Sequence, residues 1–107
     1  KWIYDTKETP LDIYECPAKI APDLEEKIKD TVLRTYKVLR CRDWSRIDVR
    51  LSSDGVPNII EVNPLPGILP DPQEHSCYPS SARAAGIGYE DMLNRVLTHG
   101  AKRYGLV

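Results

Sequence analysis

The dipeptide Asp54-Gly55, set between two runs of alternating apolar and polar residues, constrains this chain more than any other feature. The runs cover residues 44–52 and 56–63, and alternation of that period places successive side chains on opposite faces of a strand. Asp-Gly tolerates the positive φ angles of a tight turn, so the two runs read as one antiparallel hairpin. A two-residue Asp54-Gly55 loop pairs Ser53 with Val56. Counting outward, Asp48 lies opposite Glu61, Arg46 opposite Asn63, Ile47 opposite Val62 and Val49 opposite Ile60. One face is then aliphatic and packs on a core; the other gathers Arg46, Asp48, Glu61 and Asn63. A slip of one residue would scramble both faces, so the pattern supports its own register.

Two carboxylates directly opposed across a hairpin have Cβ atoms about 5 Å apart, and like charges there are destabilising. Three arrangements offset the repulsion: a raised pKa on one acid, the guanidinium of Arg46 or Arg50, or a divalent cation. The oxygen-bearing side chains of Asp48, Glu61 and Asn63 suit a hard ion, magnesium first and manganese as the alternative. Such an ion beside Arg46 is the equipment that phosphoryl transfer needs. The competing reading is a solvated sheet face whose charges pair loosely with Arg46 and Arg50. Asn63-Pro64-Leu65-Pro66-Gly67 leaves the strand directly after the acids, and loop segments in such positions are where substrates are held.

Around the hairpin, residues 11–15 alternate and predict a short strand. Residues 22–40 predict a helix: Pro22 suits its first position, and Asp23, Glu25 and Glu26 its positive end. Leu24, Ile28, Val32, Tyr36 and Leu39 form its apolar stripe, with Arg40 in the last turn. Four prolines between Pro64 and Ser76 exclude regular structure there. Pro79 to Ala85 predict a short helix ended by Gly86, and residues 89–101 a final helix with Met92, Leu93, Val96 and Leu97 on its apolar side. The fold class is α/β (α+β), an antiparallel sheet backed by helices. It comprises the hairpin 44–63, a substrate loop 64–78 and helices 22–40 and 89–101.

Composition narrows the function. At 41% hydrophobic and 29% charged residues the chain is globular. A net charge of -1 supplies no basic field for nucleic acid or an anionic membrane, and no apolar run is long enough to span a bilayer. Cys16, Cys41 and Cys77 are odd in number and lack CxxC spacing, so they read as packing residues in a reducing, cytoplasmic setting. The start at Lys1-Trp2-Ile3, without Met or a signal-peptide pattern, reads as a cut through a longer protein.

Arg46-Ile47-Asp48 followed by Glu61-Val62-Asn63-Pro64-x-Pro66-Gly67 resembles the metal-binding signature of the D-alanine–D-alanine ligases, members of the ATP-grasp superfamily. Ser76-Cys77-Tyr78-Pro79 and Ala85-Gly86-Ile87-Gly88-Tyr89-Glu90 follow the order of that family's last segments. Cys16-Pro17-Ala18 and Cys41-Arg42-Asp43-Trp44 also have counterparts. The resemblance covers roughly residues 4–100 and implies the C-terminal part of an ATP-grasp fold. It implies that Asp48 and Glu61 bind one magnesium and Glu61 and Asn63 a second, both holding ATP phosphates. Arg46 would stabilise the phosphoryl group on its way to a substrate carboxylate. Gly67 would assist, through its backbone N–H, when an amine attacks the acyl-phosphate, and Ser76 and Cys77 would bind the second amino acid. Lys7 partly matches a lysine of the family's mobile loop, with Glu8 where a tyrosine usually follows.

The implied activity is ATP-dependent formation of a dipeptide, D-alanyl-D-alanine for peptidoglycan, from small amino acids. A homodimer is left open, and the missing N-terminal part of the parent chain is an expected partner, without which these residues are incomplete. The glycine-rich lid, the phosphate-holding lysines and the adenine pocket are absent from these residues, so the chain alone is expected not to turn over. Residues 68–75 form a loop longer than in well-known ligases of the family. That favours one rival, an ATP-grasp ligase for another acid and amine. The other rival is a non-catalytic module. His75 and His99 read as a surface loop residue and a helix-end residue, and Trp44 as a packing anchor.

Overall fold

The computed structural model describes residues 14–107. Its elements are α1 (Pro22–Val38), β1 (Arg46–Leu51), β2 (Pro57–Asn63), α2 (Cys77–Ala84) and α3 (Tyr89–Arg103). The class is mixed α/β, an antiparallel two-stranded sheet with three helices. The described residues divide into two compact groups, one of 14–19 and 67–95, the other of 20–66 and 96–107. None of the described helices is long and apolar enough to cross a membrane. The expected strand 11–15 lies mostly outside the described residues; Tyr14 and Glu15, its described end, are not in a strand.

In the second group, α1 packs against β2. Leu24, Ile28, Val32 and Tyr36 are half-buried, as their spacing predicts, but Leu39 is exposed. The reason is local. The helix ends at Val38, and Arg40, expected inside it, lies beyond its C-cap at φ 53. There the Arg40 N–H bonds the Lys37 carbonyl and the Cys41 N–H bonds that of Tyr36. These two bonds are the Schellman stop, which glycine usually occupies because it has no Cβ to strain. α2 and α3 stop in the same way with Gly86 and Gly105, at φ 77 and 68.

The hairpin contains the main departure from expectation. Ser52, not Ser53, pairs with Val56, so the loop is Ser53-Asp54-Gly55. The Gly55 N–H bonds the Ser52 carbonyl and Gly55 takes φ 78, which is the turn-plus-glycine form of a three-residue loop. The pairs Leu51↔Pro57, Arg50↔Asn58 and Val49↔Ile59 follow. A β-bulge between Asp48 and Val49 then restores Asp48↔Glu61, Ile47↔Val62 and Arg46↔Asn63. Ile60 is thus the unpaired extra residue, 62% exposed rather than opposite Val49 in the core. The loop takes in one residue more than expected and the bulge skips one, so the two irregularities cancel. Ile59 takes the aliphatic face beside Val49, and the acids stay paired.

In the first group, Pro79 and Met92 are buried. α2 begins two residues earlier than expected, at Cys77, because Pro79 fits the first helical turn, where its missing N–H is not needed. Leu97, expected on the buried side of α3, is exposed. Its neighbours Leu93 and Val96 are half-buried.

Candidate functional site

The hairpin brings four of the expected site residues together. Asp48 and Glu61 are direct cross-strand partners, and Arg46 and Asn63 the pair two positions along on the same face. Arg46 meets Asp48 as a fork: Nε donates to Oδ1 at 2.8 Å and Nη2 to Oδ2 at 3.1 Å. Their side chains are 19% and 34% exposed, so the pair is only partly screened by water. Of the three ways to offset the opposed acids, the guanidinium is seen directly, as a bidentate clamp rather than a loose surface pairing.

Among the described residues no three His, Cys, Asp or Glu side chains are grouped to hold a metal. Any such site on the hairpin therefore draws on two carboxylates and the Asn63 amide. The Asn63 Nδ2 is buried with no hydrogen-bond partner among the described residues. Burying a polar atom in that state is costly. A half-turn of the amide would offer its oxygen to a cation, and the NH2 as it stands could meet a phosphate oxygen. The residue set therefore fits both groups.

Gly67, Ser76 and Cys77 belong to the other compact group. Neither packing nor backbone conformation explains the glycine: φ is not left-handed, and a Cβ on Gly67 would meet nothing within 4 Å. Ser76 is 5% exposed. Its Oγ donates to the Gly67 carbonyl at 3.0 Å and accepts from the Leu69 N–H at 3.1 Å. The Tyr89 hydroxyl donates to the Ile68 carbonyl at 2.6 Å. Farther along the loop, the Glu74 N–H bonds the Asp71 carbonyl and the Gln73 N–H the Asp71 carboxylate, a turn with Pro72 at its second position.

A cavity of about 360 Å³ opens beside this loop, lined by Tyr14, Glu74, His75, Ser76, Cys77 and Ser80 among others. The rings of Tyr14 and His75 lie 5.1 Å apart. Cys16 and Cys77 are exposed free thiols on its wall, against the expectation of packed cysteines, and Cys41 is half-buried. Ser76 is the N-cap of α2 but makes no side-chain cap bond, so the positive helix end faces this wall unanswered by its own cap.

In the hairpin's group, a second cavity is lined by Tyr36, Cys41, Arg42, Asp43, His99 and Arg103. Arg103 pairs with Asp43 there. The neighbouring phenol of Tyr36 is pushed up first by burial, then by Cys41 and Asp43. Its basic residues flank the C-terminal ends of α1 and α3, where positive charge answers the helix dipole. Lys7 lies outside the described residues.

An acid-bearing antiparallel hairpin with α1 packed on it fits the C-terminal part of an ATP-grasp fold. Residues 2–98 match the family described as D-ala D-ala ligase C-terminus, and the chain belongs to that family. It is 40% identical over 85 residues to D-alanine–D-alanine ligase B of Chromobacterium violaceum, covering 79% of this chain and 27% of that protein. To the D-alanine–D-alanine ligase of Ralstonia pickettii it is 43% identical over 81 residues, 75% of this chain and 23% of that one. The corresponding ligase of Cupriavidus pinatubonensis is 40% identical over 84 residues, 78% and 24%. The chain thus spans about a quarter of the length of the curated relatives it matches.

Sequence reasoning placed the acid face but missed the hydroxyl contacts around Gly67. Side chain-to-backbone bonds in an irregular loop leave no period to detect. The faint signal is a serine nine residues after the glycine in a proline-bracketed loop.

Proposed function

We propose that the protein to which these residues belong is an ATP-dependent carboxylate–amine ligase of the cytoplasm, joining two D-alanines for peptidoglycan. The observation that carries this is the Arg46-clamped Asp48 held opposite Glu61, with Asn63 on the same face, in a chain of the D-ala D-ala ligase family. Arg46, its fork anchored on Asp48, would stabilise the phosphoryl group as it moves. Asp48, Glu61 and Asn63 would hold magnesium, which when bound neutralises phosphate charge. The substrate carboxylate attacks the γ-phosphorus of ATP and ADP departs, leaving an acyl-phosphate. The second amine attacks the acyl carbon, the C–O bond to phosphate breaks, and the nitrogen's proton passes to solvent.

For that second step, the open space where a Gly67 side chain would stand lets a substrate come close to the backbone there. With the Ser76 hydroxyl engaged within the loop, the incoming carboxylate is best met by the N-terminal end of α2 at Cys77. The test is phosphate release by the full-length protein with ATP, magnesium and either D-alanine or L-alanine. Release that needs D-alanine and is lost in Glu61→Gln supports the reading. Glu74 and His75 on the cavity wall favour a second reading, a different amine substrate, which release with another amino acid would select. Silence with every amino acid tried would favour a non-catalytic module.

A further inference from the structure

We propose that Tyr89 is a positioning residue for amine transfer, fixing together with Ser76 the backbone that follows the Gly67 N–H. The inference rests on the ligase reading above. Two successive peptide groups are pinned by side chains. The peptide joining Gly67 to Ile68 is held at its carbonyl by Ser76 Oγ. The peptide joining Ile68 to Leu69 is held at both ends, its carbonyl by the Tyr89 hydroxyl and its N–H by Ser76 Oγ. A peptide plane held at both ends cannot rock about the chain axis, because rocking would break one bond to relax the other.

Gly67 itself is the weak point of such a segment. It has no Cβ to restrict it, and no neighbouring side chain crowds it. On one side lies Pro66, buried and fixed in φ; on the other, the pinned planes. With Pro66 fixed in φ and the following planes pinned, the freedom of the Gly67 N–H is narrowed before substrate arrives, and preorganised donors are what stabilise a developing oxyanion. Tyr89 reaches the loop from the first turn of α3, so a regular element carries the constraint into an irregular one. Only its hydroxyl makes the bond, so Tyr89→Phe removes the pin and leaves the ring.

The experiment uses the full-length protein and reads its two steps apart. Positional isotope exchange in ATP reports formation and reversal of the acyl-phosphate; dipeptide formation reports both steps. Tyr89→Phe should lower kcat for dipeptide about ten-fold, leaving isotope exchange and the KM values for ATP and amine unchanged. Ser76→Ala should likewise lower kcat for dipeptide while isotope exchange is retained. Should Tyr89→Phe fail to fold, Ser76→Ala decides in the same terms. Equal loss in both steps, a raised KM for the amine without loss of kcat, or no change would overturn the proposal. If the unaltered protein exchanges isotope and makes dipeptide, any such failure belongs to the Tyr89 proposal alone. If it does neither, the ligase reading fails first and takes this inference with it.

Discussion

The hairpin and the loop that follows it solve the same problem by opposite means. In the hairpin, backbone pairing is regular and side chains are the cargo: the ladder sets Asp48 against Glu61, and Arg46 clamps the result. In the loop from Gly67 to Ser76, side chains do the holding, Ser76 and Tyr89 replacing a ladder, and under the proposed function the backbone is the cargo. A chain that must present charged side chains can use a sheet. A chain that must present a bare N–H has to leave the sheet, since a ladder would consume that donor.

The largest effect that would test this contrast is on the hairpin. Glu61→Gln keeps the shape and removes one charge, and turnover of the full-length protein should fall about 1,000-fold. Retained turnover would mean that the ladder presents nothing of chemical use.

Deleting Ile60 is subtler, because the bulge would vanish while every cross-strand pair on both sides of it could be kept. The fold should survive, read as a melting temperature within a few degrees. Loss of the local twist should lower turnover roughly 100-fold by misaiming the acids. A normal rate would show that pairing alone, without the bulge, aims the site.

On the loop side, Ser76→Ala leaves the Gly67 carbonyl and the Leu69 N–H without their partner in a buried setting. Unfolding in denaturant should show a loss of about 1–3 kcal/mol. An unchanged midpoint would mean that the loop is held by packing instead.

The smallest expected effect belongs to the turn. The Asp54 carboxyl is held below its ordinary 3.8, first by the Ser52 hydroxyl and then by its own backbone N–H. Folding therefore favours the ionised form. Its contribution is complete above the unfolded value and is lost as pH falls through the lower folded one. Melting curves between pH 5 and pH 2 should slope slightly less in Asp54→Asn, and identical slopes would remove the turn from the pH response.

The acid face was readable because alternation and Asp-Gly point the same way, and because the extra loop residue and the bulge cancel before Asp48 is reached. Neither irregularity could be read alone: Asp54-Gly55 serves a two-residue or a three-residue loop equally well, and Ile59-Ile60 offers no polar residue to mark which of the two is extra. Helix stripes predicted which faces could be buried but not how far neighbouring surfaces extend, hence the exposure of Leu39 and Leu97. The stop at Arg40 was missed because a left-handed residue is usually announced by glycine or asparagine. The pins on Gly67 depend on a serine and a tyrosine meeting backbone groups up to 21 residues away, which composition and period do not encode.

The bulge at Ile60 also bears on self-association. Among the described residues the sheet has two strands, and an outer edge left unpaired is a template on which another copy of the strand could be laid down. Flat, regular, β-branched strands are the most dangerous template, and Asn58-Ile59-Ile60-Glu61-Val62 would be one if fully extended. The skipped residue bends that strand in its middle, so a second copy could match the segment before the bend or the segment after it, but not both. The irregularity that keeps the acids aligned thereby also makes β2 a poor seed for fibrous growth.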